Sequence, residues 1–267
     1  MGIQEWLVLG LVQGFTEWLP ISSEGMVVLV ETNIFKRNDL TEIIHLSLFL
    51  HLGTFLAALI YFFPTIRHLT SSLLNFQLAN PEDKKIINFL IISTIISGSL
   101  GLILLKALES FETQISLTGK LITGIVSILL IITALLQIKA KQPNQNRTAR
   151  DLTVIDSIIL GLTQACAALP GFSRSGLTVS ALLLRNIDKL TSLKLSFLMS
   201  LPIVLAGNIL LNLDDTQLFT IPALIGVLAS FVSGFATIHL LLKIAARINF
   251  GKVLLLFGIL GVISVMT

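Results

Sequence analysis

Two apolar segments, residues 3–31 and 153–185, are each long enough to cross a bilayer, and each is broken in the middle by a polar, proline-containing run. The first break reads Leu19-Pro20-Ile21-Ser22-Ser23-Glu24-Gly25; the second reads Leu169-Pro170-Gly171-Phe172-Ser173-Arg174-Ser175-Gly176. Proline lacks a backbone donor and disfavours helix at the residue before it, so each helix stops there. Irregular backbone is tolerated at membrane depth only where it lines a protein cavity. Each segment therefore predicts a re-entrant hairpin that enters, turns and leaves on the same side.

The lipid surroundings follow from the rest of the chain. Six further stretches, roughly 42–63, 86–105, 120–139, 194–212, 219–242 and 250–266, reach or approach the length of a membrane-crossing helix, which takes about 20 mostly apolar residues. Apolar residues make up 54% of the chain and charged residues only 12%, against about 25% charged in soluble domains. A chain so poor in charge cannot dress a water-facing surface. Its net charge of +3 then belongs to loops, and no nucleic-acid partner is implied. The single cysteine, Cys166, excludes an internal disulfide and reads as a small packing residue in an apolar run. Met1 to Leu11 lacks the basic start of a cleavable signal, so the chain is expected to be retained whole.

The two broken segments resemble each other. Gly10-Leu11-x-Gln13 recurs as Gly161-Leu162-x-Gln164, each followed by a Leu-Pro pair and a Ser/Gly turn. The offset is 151 at the glutamines, 150 at Pro20 and Pro170, and 151 again at Gly25 and Gly176. Three spans follow each break. The expected fold is all-α and integral to the membrane: one membrane domain, 1–267, made of two repeats, 1–140 and 150–267. Each repeat would be a broken re-entrant helical hairpin plus three transmembrane helices. An odd number of crossings inverts the second repeat, so that the hairpins can meet near the midplane, a layout common among secondary transporters. Under this topology 13 cations fall on one side and 4 on the other (Lys36, Arg37, Lys106 and Lys120), with Arg174 inside the second hairpin. That bias makes the first side cytoplasmic and puts both termini on the outer face. The hydrophilic stretch Lys139 to Asp151 is the expected junction of the repeats.

Ionisable groups at membrane depth are costly and are functional candidates for that reason. Arg174 stands among Gly171, Ser173, Ser175, Gly176 and Thr178. A guanidinium fork suits phosphate oxygens, and hydroxyls with a glycine-rich backbone at a helix start add donors. The alternative is an arginine that snorkels to an interface or pairs with a carboxylate for structure. In the first hairpin Glu17 lies four residues after Gln13, on the same helix face. Beside a phosphate, its carboxylate can hold a divalent cation or act as general base, and Ser22 or Ser23 becomes a nucleophile if relieved of its proton. These groups would otherwise only cap broken helix ends. Glu24 reads more simply, as facing an aqueous opening. His45 and His51 read as packed, hydrogen-bonded residues of a span, and His68 and His239 as having no partner in evidence. No Cys/His metal spacing, Walker loop or dinucleotide fingerprint is present.

The pairing of Gln13-x-x-x-Glu17-x-Leu19-Pro20-x-Ser22-Ser23-x-Gly25 with Pro170-Gly171-x-Ser173-Arg174-Ser175-Gly176-x-Thr178 resembles the undecaprenyl-diphosphate phosphatase family, membrane enzymes linked to bacitracin resistance. His51-Leu52-Gly53-Thr54 and Ser196-Phe197-Leu198-Met199-Ser200-Leu201-Pro202 extend the resemblance over nearly the whole chain. It implies hydrolysis of a C55 polyprenyl diphosphate to the monophosphate and inorganic phosphate at the plasma (inner) membrane. This recycles the lipid carrier for cell-wall glycan synthesis. It implies Mg²⁺ or Ca²⁺ with Glu17, Ser23 as nucleophile, and Arg174 on a diphosphate bound with Gln13, Ser22, Gly171, Ser173, Ser175 and Thr178. Partners would be the lipid substrate and membrane lipid; the oligomeric state stays open, a homodimer included. The sequence departs from the family where a histidine commonly follows the glycine of the first motif, a position occupied here by Met26. A transporter or flippase of the lipid carrier, or of another anion, is the alternative on the same scaffold.

Overall fold

The computed structural model describes residues 1–19, 21–114, 118–140, 146–212, 218–244 and 250–266. Pro20, Lys141 and Arg247, which entered the sequence reading, lie outside the described residues. The described chain is helical throughout, apart from an isolated bridge between Arg147 and Ile187. The helices are α1 (Ile3–Glu17), α2 (Ser23–Asn33), α3 (Leu40–Tyr61), α4 (Phe63–Leu74), α5 (Pro81–Gln114), α6 (Gly119–Lys139), α7 (Val154–Cys166), α8 (Arg174–Leu184), α9 (Lys189–Gly207), α10 (Ile221–Ile244) and α11 (Phe250–Met266). Five of them (α3, α5, α6, α9 with its extension, and α10) are long and apolar enough to cross a membrane. The protein is thus an all-α, multi-pass membrane protein. The sixth expected span is α11, an apolar helix of 17 residues.

Both expected breaks are present. Helix α1 ends at Glu17 and α2 starts at Ser23, while α7 ends at Cys166 and α8 starts at Arg174. All four arms have between 11 and 15 residues, short of the ~20 that a crossing needs. The restart is capped identically in each hairpin. Ser22 Oγ accepts from the Gly25 amide at 3.0 Å, and Ser173 Oγ accepts from the Gly176 amide at 3.0 Å. These N-caps satisfy one of the amides that a helix start leaves free.

Each first arm packs along a span from the other half of the sequence: α1 on α10, and α7 on α5. Small residues allow the approach, as at membrane helix interfaces generally. A Cβ on Gly10 would come within 2.1 Å of the Gly226 carbonyl oxygen. Trp18, directly after α1, is buried and packs edge-on against Phe197 of α9 at 5.0 Å, which fixes the exit of the first arm.

Three features depart from the sequence reading. Helix α4 is an additional, separate element, started by Pro64 in its first turn; its alternating polar residues hid it behind the preceding apolar run. Helix α5 has 34 residues against the 20 expected, because Pro81, Glu82 and Asp83 open it before the apolar stretch and the helix runs on past that stretch to Gln114. Helix α9 contains Pro202 and ends in a π-helical turn, Asn208–Asn212. There the Asn208 and Asn212 amides donate to the Leu48 and His45 carbonyls of α3 at 2.9 and 3.0 Å.

The described residues that lead into α7, from 146 on, are docked against the end of α8. The Arg147 amide donates to Asn186 O at 3.0 Å, and Arg147 and Arg185 both pair with the buried carboxylate of Asp156, at 2.6 and 2.7 Å. Cys166, expected to be packed, is exposed on α7. His68, expected to lack a partner, lies on α4 and pairs with Asp83 at 2.9 Å.

Candidate active site

The two breaks meet. Ser22 Oγ donates across to the Phe172 carbonyl at 3.2 Å, and Ser175 Oγ donates back to the Leu19 carbonyl at 3.1 Å. Gly171 sits at the contact with φ +106°, a conformation that favours glycine, and a Cβ there would lie 2.9 Å from the Val126 carbonyl oxygen of α6. The loop before α8 therefore threads between α6 and the first hairpin only because position 171 has no side chain.

Glu17 is the hub. It is the last residue of α1 and is 4% exposed. Its Oε2 accepts from Gln13 Nε2 at 2.8 Å, one turn earlier on the same face, and from Ser23 Oγ at 2.6 Å. His51 Nε2 of α3 lies 3.1 Å from the same oxygen. Its Oε1 is paired with Arg174 Nη2 from the other hairpin. One buried carboxylate thus holds donors from α1, α2, α3 and α8. Burying a lone charge is prohibitive, and this number of charge-assisted bonds is what makes the burial tolerable. Arg174 Nη1 is buried and has no hydrogen-bond partner. Half of the guanidinium fork is therefore left unused among the described residues.

These groups line one cavity, of about 170 Å³. Glu17, Ser22, Ser23, Glu24 and His51 face Ser173, Arg174 and Ser175 across it. The N-termini of α2 and α8 both open on this space, so two positive helix ends and a guanidinium converge on it. Beyond the polar end the wall turns apolar, through Ile44 and Leu48 of α3, Gly98, Gly101 and Leu102 of α5, and Ile203 and Val204 of α9. The chemistry available is a polyanion held at the polar end, next to a serine whose proton already points at a carboxylate.

The residues named from sequence do not all reach the cavity. Gln13 acts through Glu17, Gly171 shapes the loop, and Thr178 Oγ1 bonds the Arg174 carbonyl at 2.8 Å and Ser196 Oγ at 2.7 Å, which braces α8 against α9. Glu24 does face the opening, and among the described residues no hydrogen bond or ion pair engages its carboxylate. Met26 is half-buried on α2 and is not part of the cavity wall. His51 is the functional residue that spacing arguments missed. Its only sequence signal was its place in the His51-Leu52-Gly53-Thr54 segment of the resemblance. No group of three or more His, Cys, Asp or Glu side chains suited to a metal ion occurs among the described residues.

The chain is similar to known proteins over nearly its whole length. The family model described as bacitracin resistance protein BacA matches residues 6–263. A protein of Methanococcoides burtonii named undecaprenyl-diphosphatase is 38% identical over 99% of this chain and 98% of its own length. Relatives with the same name from Haloarcula marismortui and Treponema denticola are 36% and 34% identical, over 97% and 91% of this chain and 95% and 89% of theirs. Matched almost from end to end, the chain belongs to the bacitracin resistance protein BacA family.

Proposed function

We propose that this protein is a membrane phosphatase that hydrolyses undecaprenyl (polyprenyl) diphosphate to the monophosphate and inorganic phosphate, and so recycles the lipid carrier of cell-wall glycan synthesis. The observation that carries the reading is the cluster of Ser23, Glu17 and Arg174, drawn from two hairpins to the polar end of a cavity whose other walls are mostly apolar. The relatives' shared name agrees with it. The transport alternative finds no comparable support, because a carrier needs no serine hydrogen-bonded to a buried carboxylate.

In this reading the diphosphate lies at the two helix N-termini, and the isoprenoid tail runs along α3, α5 and α9. Arg174 turns from Glu17 to the phosphate oxygens, helped by its free Nη1. Ser23 Oγ attacks the terminal phosphorus and gives its proton to Glu17, while the bond from that phosphorus to the bridging oxygen breaks and releases the prenyl monophosphate. Water then cleaves the phosphoserine, giving inorganic phosphate and restoring Ser23. Charge developing on the phosphoryl oxygens is met by Arg174 and the preorganised amides of α2 and α8.

The family resemblance implies a divalent cation, and the donor set can be tested for it. Both oxygens of Glu17 are already engaged by four donors, whereas Glu24 offers an unengaged carboxylate on the cavity wall. A cation held by one or two carboxylates plus substrate phosphates needs no three-residue cluster. Glu24, joined by Glu17 Oε1 once Arg174 has turned to the diphosphate, would hold Mg²⁺ or Ca²⁺, which would neutralise diphosphate charge when bound. The paired exchange of α1 onto α10 and α7 onto α5 supports two inverted repeats, 1–140 and 150–267. The cation bias supports a plasma-membrane orientation with outer termini.

The test is phosphate release from a C55 or shorter prenyl diphosphate by purified protein, with Mg²⁺ and then with chelator. Cation-dependent release that is lost in Ser23→Ala is the expected result. Folded protein that binds the lipid but releases no phosphate refutes the reading.

A further inference from the structure

We infer that His51 is a positioning residue for this reaction: it holds the Glu17 carboxylate on Ser23 once Arg174 has turned to the diphosphate. The inference rests on the phosphatase reading above and adds a residue from outside both hairpins.

The ring is fixed at both nitrogens. Nδ1 lies 2.7 Å from the Ser47 carbonyl, one turn back on α3, and that oxygen can only accept, so Nδ1 donates. This bond fixes the ring plane, much as outer hydrogen bonds orient ligating histidines. Nε2 is thereby aimed at Glu17 Oε2, 3.1 Å away, the same oxygen that takes the Ser23 hydroxyl at 2.6 Å; with an acceptor at each nitrogen, the ring donates from both as the imidazolium. The His51 side chain is 13% exposed and borders the cavity.

The need for such a residue follows from the other contacts of Glu17. Its partners at rest are Arg174 on Oε1, and Gln13, Ser23 and His51 at Oε2. A diphosphate in the cavity competes for Arg174, whose fork is only half used. When the guanidinium leaves, a buried carboxylate loses a cationic partner, a loss that is strongly unfavourable unless other donors remain. Gln13 and Ser23 are neutral, and Ser23 is the group about to lose its proton. His51 is then the remaining donor that both fixes Oε2 and can carry positive charge. The resemblance would place the site's imidazole at position 26, where this chain has Met26, a residue that does not line the cavity. Here the imidazole arrives from α3 instead.

The experiment measures kcat and KM for phosphate release from farnesyl diphosphate by the full-length protein and its His51→Ala and His51→Gln variants, together with thermal unfolding of each. His51→Ala is expected to lower kcat by about 10–100-fold, the usual effect of removing an orienting partner, with KM within about 2-fold because the role assigned to the ring is to hold Glu17 and not the diphosphate. His51→Gln, whose amide can donate to Glu17, is expected to recover most of that loss. A His51→Ala protein with near-normal kcat overturns the inference and leaves the phosphatase reading standing. So does a His51→Gln protein as poor as His51→Ala, with raised KM and lowered Tm in both, since that pattern belongs to packing. A wild-type protein that releases no phosphate overturns both.

Discussion

Replacing Arg174 separates its two roles, the resting partner of Glu17 and the clamp on the diphosphate. Its Nη2 is spent on Glu17 and its Nη1 is buried without a partner, so binding substrate gives the fork two productive bonds instead of one. Hydrogen bonds to charged groups contribute about 1.5–3 kcal/mol each, which puts two bonds to phosphate at about 3–6 kcal/mol. At about 1.4 kcal/mol per factor of ten, Arg174→Ala should lower kcat/KM by roughly 10²–10⁴-fold. Arg174→Lys keeps the charge but not the fork, and the loss of one bond corresponds to roughly 10–100-fold. Glu17 retains Gln13, Ser23 and His51 in either variant, so both should fold. The assay is phosphate release from a prenyl diphosphate by detergent-purified protein, at several substrate concentrations, with thermal unfolding as the control. A folded Arg174→Ala protein with kcat/KM near wild type would refute the argument. A Lys variant equal to wild type would refute the bidentate part alone.

Three further outcomes follow from particular contacts. Glu17→Gln should lower kcat by about 10²–10⁴-fold, the range for loss of a general base, while KM stays the same or falls because Arg174 is released to the substrate; steady-state kinetics on a prenyl diphosphate checks both. On α5, a Cβ at Gly101 would meet only Ala168 Cβ at 3.7 Å, so Gly101→Ala should be tolerated, whereas Gly101→Leu should fill the apolar wall. Turnover of a C55 diphosphate should then fall more than turnover of a C15 one, as a side-by-side assay would show. Asp156→Asn removes the carboxylate shared by Arg147 and Arg185 and should destabilise the protein by on the order of 3 kcal/mol, as broken buried ion pairs do. A thermal scan should show a lowered Tm, with kcat preserved in the folded fraction.

The sequence determined the solvent, the helices and the chemistry. Runs of apolar residues with little charge leave lipid as the only surroundings, and a proline set in a run of serines and glycines marks a helix break, whereas Pro202, in an unbroken apolar run, stays inside α9. The capping role of Ser22 was legible because a cap is made within four residues; that of Ser173, read from sequence as a donor beside Arg174, appears only in the structure. Helix α4 and the length of α5 were not, because polar residues at helix ends carry little hydrophobic pattern. The tertiary structure decided which groups share a carboxylate. Arg174 is separated from Glu17 by 157 positions, and nothing local tells an arginine bound for an anion from one paired with a glutamate; the structure shows the second arrangement, and the proposed function adds the first. His51 shows the limit most clearly. In sequence it is one histidine in a span, without a neighbour at metal-ligand spacing. Only the packing of α3 against the first hairpin turns its Nε2 toward Glu17, because the side of a helix that faces a partner is set by tertiary contact and not by the residue itself.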